Sequence, residues 1–549
     1  MKNPKANRQG PALLGLVLIA ATTARRTQSA RVLRAASWNV PMMKVMKPLL
    51  LMLPGVLVMA STLAAGEKVD PVAIGRIKRE VSQHSEVMEL LSWLTDVYGP
   101  RLTGSPNTRA AAEWTLKKLS SWGITNVHLE PWGPYERGWR SERFNFQAIA
   151  PQPFVIHAAP VTWSVSTRGS TVGPAVRFDV KSFADMKRFA NKLKGAFLLM
   201  DVPQPTPAHF EPMATRLSDA RLAEYALDEP PQPRRQFEIP YSHRLLTDDP
   251  VARHWLINEG IAALLFRAPG DGGTISQSGV GASAWSSKDE PDQVPIVKVS
   301  AESYGRIARI LEKNIPVTLE LDMQNRFYDD PEVFNIIAEI PGTDPKLKDE
   351  VVLLGAHFDS WTFGTGATDN AAGSVVLMEA MRILQKLNAA PRRTIRMALW
   401  TGEEQGSLGS KAYITKHYQK PTGDAVAEKS EYETFSVYFD HDGGTGRIRG
   451  IFNVRNPAVR PIFEAWLEPF KELGMKTVSS WDIGGGDQSA FERAGLPSFE
   501  FIQDPIDSRT QHSSADVYER ILPEDLQFNI TVLASFAWLA AERDERFPK

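Results

Sequence analysis

Histidines and carboxylates that could hold metal ions recur in five short segments of the second half of the chain. His357 stands in Gly355-Ala356-His357-Phe358-Asp359-Ser360-Trp361, and Asp369 in Ala367-Thr368-Asp369-Asn370. The adjacent pair Glu403-Glu404 ends Trp400-Thr401-Gly402-Glu403-Glu404, and Asp440-His441-Asp442-Gly443-Gly444-Thr445 follows. Near the C-terminus lies Gln511-His512-Ser513-Ser514-Ala515-Asp516. A hydrolytic two-metal centre needs nitrogen and oxygen ligands, a carboxylate shared by ions about 3.5–4 Å apart, and a base beside the attacking water. Such ions polarise a carbonyl and draw the pKa of water down toward ~7. Adjacent glutamates point different ways, so one can face a metal while its neighbour faces the water. In the run 440–442, Asp440, His441 and Asp442 compete for one ligand position. The chain has no cysteine, so disulfides are excluded and any metal is held by nitrogen and oxygen.

These segments need elements to bring them together. Val351 to Ala356 is a continuous apolar run, as expected of a strand covered on both faces. Thr394 to Trp400, Phe435 to Phe439 and Leu496 to Phe501 read as further strands. Helices are expected over 371–387, 407–417, 457–473 and 523–543, with Asp369 or Asn370 near the cap of the first. This alternation predicts an α/β fold with a mainly parallel central sheet flanked by helices. Active sites in such sheets lie at the C-terminal strand ends, which is where His357 and Glu403-Glu404 fall. Earlier, residues 72–125 read as helical with a break at Tyr98-Gly99-Pro100-Arg101-Leu102-Thr103-Gly104-Ser105-Pro106, and a strand follows at 127–130. From about 150 to 325 proline and glycine are frequent and the apolar runs short. Strands are expected at 195–201, 262–266 and 294–299, and a long Pro-rich loop at 203–240. This region reads as an inserted, β-rich domain.

The ordered set His357-x-Asp359-Ser360-Trp361, Gly364-x-Gly366-Ala367-x-Asp369-Asn370, Glu403-Glu404-Gln405-Gly406, Asp442-Gly443-Gly444-Thr445 and His512-Ser513-x-x-Asp516 resembles the di-zinc exopeptidases of metallopeptidase family twenty-eight. A match at Gly99 to Ser105 joins it, and the resemblance spans about 72–549. It implies a zinc-exopeptidase-like fold with an inserted protease-associated domain, and two Zn2+ per chain. It implies that His357 and Asp442 hold one zinc, Glu404 and His512 the other, and that Asp369 bridges them. Asp359 would orient His357 through its carboxylate. Glu403 would take a proton from the attacking water and pass it to the leaving amine. Gly484-Gly485-Gly486-Asp487 resembles a glycine-rich loop near the site and receives no ligand role.

Other candidates carry plainer readings. Gly270-Asp271-Gly272-Gly273 is a turn, because no Gly-Lys-Ser/Thr follows it. His84, His128, His157, His209, His243 and His254 lack metal-ligand spacing. Trp93, Trp114 and Trp122 sit at helical spacing and read as core. Trp361 directly follows the His357 segment and is a candidate wall of the substrate cleft.

Size and charge fit this reading. The 549 residues are enough for two or more domains, and a net charge of −1 gives no attraction to nucleic acid. Met46-Lys47-Pro48, the apolar run Leu49 to Ala60 and the small residues after it predict a secretory signal, interrupted by Pro54 and too short for a stable membrane span. Met43 or Met46 is then the expected start, with 1–42 a gene-model artefact. The expected division is a targeting segment at 1–66, the catalytic domain at 67–150 and 326–549, and the inserted domain at 151–325. The expected function is an exported (secreted or periplasmic) exopeptidase acting on peptides or dipeptides; homodimerisation stays open. Two alternatives are an inactive binding scaffold of the same fold and a zinc amidohydrolase acting on non-peptide amides. Side chains alone do not say which peptide terminus is read.

Overall fold

The computed structural model describes residues 67–227, 249–276, 287, 293–418, 431–481, 484–506 and 510–549. The targeting segment at 1–66, His243 and the end of the Pro-rich stretch lie outside them. No helix among the described residues is long and apolar enough to cross a membrane.

Two eight-stranded sheets organise the described residues. The first runs, in spatial order, Thr125–Trp132, Val333–Ile340, Thr394–Trp400, Val351–His357, Phe435–Asp440, Ser498–Gln503, Ile448–Phe452 and Thr477–Ser479. Its four middle strands, from Thr394–Trp400 to Ser498–Gln503, are mutually parallel. The flanks depart from the expected parallel arrangement. Val333–Ile340 pairs antiparallel with Thr125–Trp132 and with Thr394–Trp400, and Ile448–Phe452 antiparallel with Ser498–Gln503. The sheet is therefore mixed. The parallel reading followed from helix-linked strands, but helices also lie between these antiparallel partners, which are not consecutive strands in the chain, so alternation alone does not fix strand direction at the flanks.

The strand Val351–His357 shows why the middle of the sheet is continuous in apolar residues. Val352, Leu354 and Ala356 enter one core with helices Ala372–Lys386 and Pro523–Glu542. Val351 and Leu353 enter a second core with Trp400, Tyr438 and Phe491 on the opposite face. Alternate side chains are thus buried on both faces, each such Val or Leu contributing about 2 kcal/mol. Gly355 interrupts this run for a steric reason: a Cβ there would lie 2.2 Å from the Tyr438 hydroxyl.

The second sheet is drawn from 137–329. Its longest pairing joins Arg137–Ala150 to Thr318–Asp329, antiparallel. The short strands Thr171–Arg177, Phe197–Leu199, Ala263–Arg267 and Ile296–Val299 are mutually parallel and join it through an antiparallel pairing of Thr171–Arg177 with Thr318–Asp329. The expected helix over 457–473 is a helical stretch whose α-helical centre is Arg460–Leu467.

His417 closes helix Leu408–His417 onto the first sheet. Its Nε2 lies 3.0 Å from Glu130 Oε2 and its Nδ1 3.1 Å from Glu431 Oε1. Burial lowers the imidazole pKa, but the two carboxylates outweigh it and raise it to about 9. A folded-state pKa above the unfolded value means the stabilisation is complete below about pH 6.5 and is lost as pH rises through about 9. Chemical denaturation should therefore show roughly 1–3 kcal/mol less stability at pH 9.5 than at pH 6 from this residue, a difference that His417→Gln removes.

Candidate metal centre

All five segments meet at the C-terminal ends of the middle strands. His357 ends its strand, 1 % exposed, and its Nε2 stands 3.0 Å from Asp369 Oδ1 and 3.1 Å from Asp442 Oδ1. On the other side of Asp369, Oδ2 stands 3.0 Å from His512 Nε2, which is also 3.0 Å from Glu404 Oε2. Two candidate ligand groups result: His357, Asp369 and Asp442, and Asp369, Glu404 and His512, with ligand atoms of each within 4.8 Å of one another. The two oxygens of Asp369 serve different groups. Glu403 belongs to neither.

Local structure holds each group. Asp369 lies in a kinked turn, Ala367–Ala371, just before helix Ala372–Lys386, with the non-helical angles φ −130°, ψ 89°. The Asp516 carboxylate accepts the Thr368 N–H at 2.5 Å, the Thr368 hydroxyl at 2.8 Å and the Asp369 N–H at 3.3 Å. Asn370 fixes the exit of the turn, donating to the His441 carbonyl at 2.9 Å and accepting the Gly373 N–H at 2.8 Å.

The His357 Nδ1–H donates to the main-chain carbonyl of Asp359 at 3.0 Å. That tautomer leaves the lone pair on Nε2, as a metal ligand requires. The Asp359 carboxylate is farther from Nδ1, at 3.8 Å, and has other partners. It accepts the Thr103 hydroxyl at 2.8 Å and the Glu403 N–H at 3.3 Å, while Thr103 accepts the Gly402 N–H at 2.9 Å. Asp359 thus ties the His357 loop to the glutamate pair, a linkage that the expected carboxylate contact to His357 did not include.

Arg101 does similar work from the same N-terminal segment. Fully buried, its guanidinium donates to the carbonyls of Phe358, Leu94, Thr365 and Gly366 at 2.8–3.0 Å. It clamps the loops on either side of the candidate ligands. Sequence reading matched the segment Gly99 to Ser105 without assigning these roles; the break it makes in a helical pattern was the available signal.

The electrostatics show a site short of positive charge. Burial raises Glu404 to about 8, with Asp369 adding to it. Burial, Asp442, Asp487 and the neighbouring Glu404 raise Glu403 to about 10 against the pull of His357. Burial and Asp442 raise Asp440 to about 7. Burial opposes the proton on His512, but Asp369 and Glu404 outweigh it and hold the pKa at about 11. His357 is likewise driven up, against burial, by Asp442 and its other carboxylate neighbours. Buried carboxylates crowded this closely are costly without cations. Glu404 Oε1 is buried with no hydrogen-bond partner, so a donor set for cations is present with one oxygen unclaimed. Nitrogen and oxygen donors in two groups sharing one carboxylate fit a pair of zinc ions.

The alternatives in the 440–442 run separate clearly. Asp440 accepts from the Tyr438 hydroxyl at 2.9 Å and from the Gln488 N–H at 2.8 Å. His441 is buried with neither ring nitrogen partnered, and its pKa is depressed by burial to about 4. Only Asp442 reaches His357. Asp487, left without a ligand role, accepts the Ser410 hydroxyl at 2.5 Å and stands outside both groups.

The mouth of the centre opens at His512, whose side chain is 47 % exposed. Trp361 stands edge-on to it, ring centroids 6.3 Å apart, and against Trp163 of the second-sheet region at 6.0 Å. The loop after His512 bonds to that same region: Ser514 N–H donates to the Ile275 carbonyl at 2.7 Å, and its hydroxyl oxygen accepts the Ile275 N–H at 3.0 Å.

The chain is similar to known peptidases. Residues 335–537 match the family model described as peptidase family M28. Human carboxypeptidase Q is 25% identical over 470 residues, covering 84% of this chain and 86% of that one. A peptidase M28 precursor from Shewanella amazonensis superposes with a TM-score of 0.61 at 23% identity, over 87% of this chain and 98% of that one. BSAP, a zinc aminopeptidase from Bacillus subtilis, gives 0.52 at 18% identity, over 84% and 95%. The chain thus carries a peptidase M28 domain over residues 335–537 and is similar to carboxypeptidase Q along most of its length.

Proposed function

We propose that the chain is an exported zinc exopeptidase that hydrolyses the terminal bond of peptides or dipeptides. His357 and Asp442 would hold one zinc, Glu404 and His512 the second, and Asp369 both. The observation that carries this reading is the division of the Asp369 carboxylate, with Oδ1 beside His357 and Oδ2 beside His512. When bound, the ions polarise the scissile carbonyl and increase the acidity of water.

The chain's own residues then divide the remaining work. Glu403 is the general base: it accepts a proton from the attacking water and delivers it to the nitrogen of the leaving amine. Its backbone is held by Asp359, which is in turn held by Thr103, so its carboxylate is presented from a fixed loop. The low-dielectric setting that raises the Glu403 pKa makes it a strong proton acceptor once cations offset the surrounding carboxylates. Trp361 walls the mouth beside His512. The region 151–325 would form an inserted domain of protease-associated type, contributing the other side of that mouth. Residues 1–66 supply the export signal in this reading.

Metal analysis with activity tests the proposal. Purified protein is expected to carry two zinc equivalents and to cleave free dipeptides, with hydrolysis abolished by chelator and restored by zinc. Fewer than two equivalents with chelator-resistant hydrolysis would count against it, and cleavage confined to acyl-amino acids would favour a non-peptide amidohydrolase. Comparing free and end-blocked dipeptides reports which terminus is read.

A further inference from the structure

A cavity of about 320 Å³ adjoins the candidate metal centre. Thr368, Gly443 and Gln511 line it, each next in sequence to one of Asp369, Asp442 and His512. Its volume is at the low end for small-molecule sites, large enough for one amino-acid side chain. Tyr225, Phe452, Ile502 and Ile506 give it apolar walls, and Glu500 and Gln503 supply polar groups.

Both polar groups present acceptors. The Gln503 amide nitrogen donates to the carbonyls of Gly444 and Gly446, at 3.1 and 2.7 Å, which fixes the amide and leaves Oε1 buried without a partner. Glu500 pairs in register with Asp440 across adjacent strands, and its carboxylate has no hydrogen bond or ion pair among the described residues. Among the described residues, Arg216 and Arg449 pair with Asp504, Arg447 with Asp525, and Arg221 with Glu224. The cavity therefore combines an apolar passage with two acceptors, the Glu500 carboxyl group and Gln503 Oε1, that have no partner among the described residues. A long aliphatic stem ending in a cationic donor group complements that combination.

We propose that this cavity is a side-chain subsite selecting lysine or arginine in the peptide substrate. It rests on the peptidase reading above and names the residue class that the enzyme prefers. The stem lies against Tyr225, Phe452, Ile502 and Ile506, and the cationic tip meets Glu500 and Gln503 Oε1. Burial, with Asp440 and Asp442 adding to it, pushes the Glu500 pKa well up, and an incoming cation offsets that cost of ionisation.

The test compares kcat/KM for Lys-Ala against norleucyl-Ala and for Ala-Lys against Ala-norleucine, using the zinc-loaded full chain. Norleucine keeps the stem and lacks the charge. In one of the two orders the lysine peptide is expected to be at least ~10-fold better. Glu500→Gln should shrink that ratio about tenfold at unchanged zinc content. Competitive inhibition of the wild-type protein by lysine amide and norleucine amide provides the same comparison without a variant. Equal rates in both orders, equal inhibition, or a ratio unaltered in Glu500→Gln overturns the subsite. Cleavage of norleucine peptides without lysine preference defeats the subsite alone, whereas absence of zinc and of all dipeptide hydrolysis defeats the peptidase reading beneath it.

Discussion

Glu403→Gln is expected to retain both zinc ions and to lower kcat by about 10³-fold, within the range of ~10²–10⁴ for removal of a general base. The amide keeps the size and the backbone contact to Asp359 but has no basic oxygen to accept a proton. Glu403 stands outside both candidate ligand groups, so metal content should not move. Zinc analysis together with steady-state kinetics decides the matter. Normal turnover would remove Glu403 from its role, and loss of a zinc would make it a ligand instead of a base.

Asp369→Ala is expected to have a still larger effect. Each oxygen of this carboxylate faces a different histidine, so one truncation withdraws a ligand from both groups. The variant should bind less than one zinc per chain and lose activity by roughly 10⁴-fold or more. His512→Ala should lose one zinc only, since His357, Asp369 and Asp442 stay together. Equal metal loss in the two variants would contradict the division of Asp369 between groups. The buried turn makes a stability control necessary: Asp369→Asn preserves the size of the side chain and should show the same metal deficit in a folded protein.

The candidate ligands were legible because each sits at a strand end or in a turn between well-patterned elements. His357 follows a continuous apolar strand, and Glu403-Glu404 follow another. Their spacing said nothing about which member of 440–442 would face the centre. That selection depends on Tyr438 and Gln488 occupying Asp440, contacts made only in three dimensions. Arg101 and Thr103 were harder, because all of their partners described above except Leu94 lie more than 250 positions away and most are main-chain atoms, which leave no mark on composition. The strand Thr318–Asp329, which buries Leu319, Leu321 and Met323, was not read from the sequence, and its partner Arg137–Ala150 lies across a long intervening stretch. Local periodicity reports an element, not its neighbour, and for the same reason the antiparallel flanks of the first sheet were not foreseen.

The paired hydrogen bonds between Ile275 and Ser514 make the second sheet more than an appendage. They anchor the stretch that begins two residues after His512. Anyone trimming this enzyme to a minimal scaffold by excising 151–325 would cut away a support of the loop bearing one proposed ligand, and chimeras with foreign insertions would have to rebuild that anchor to recover full metal occupancy.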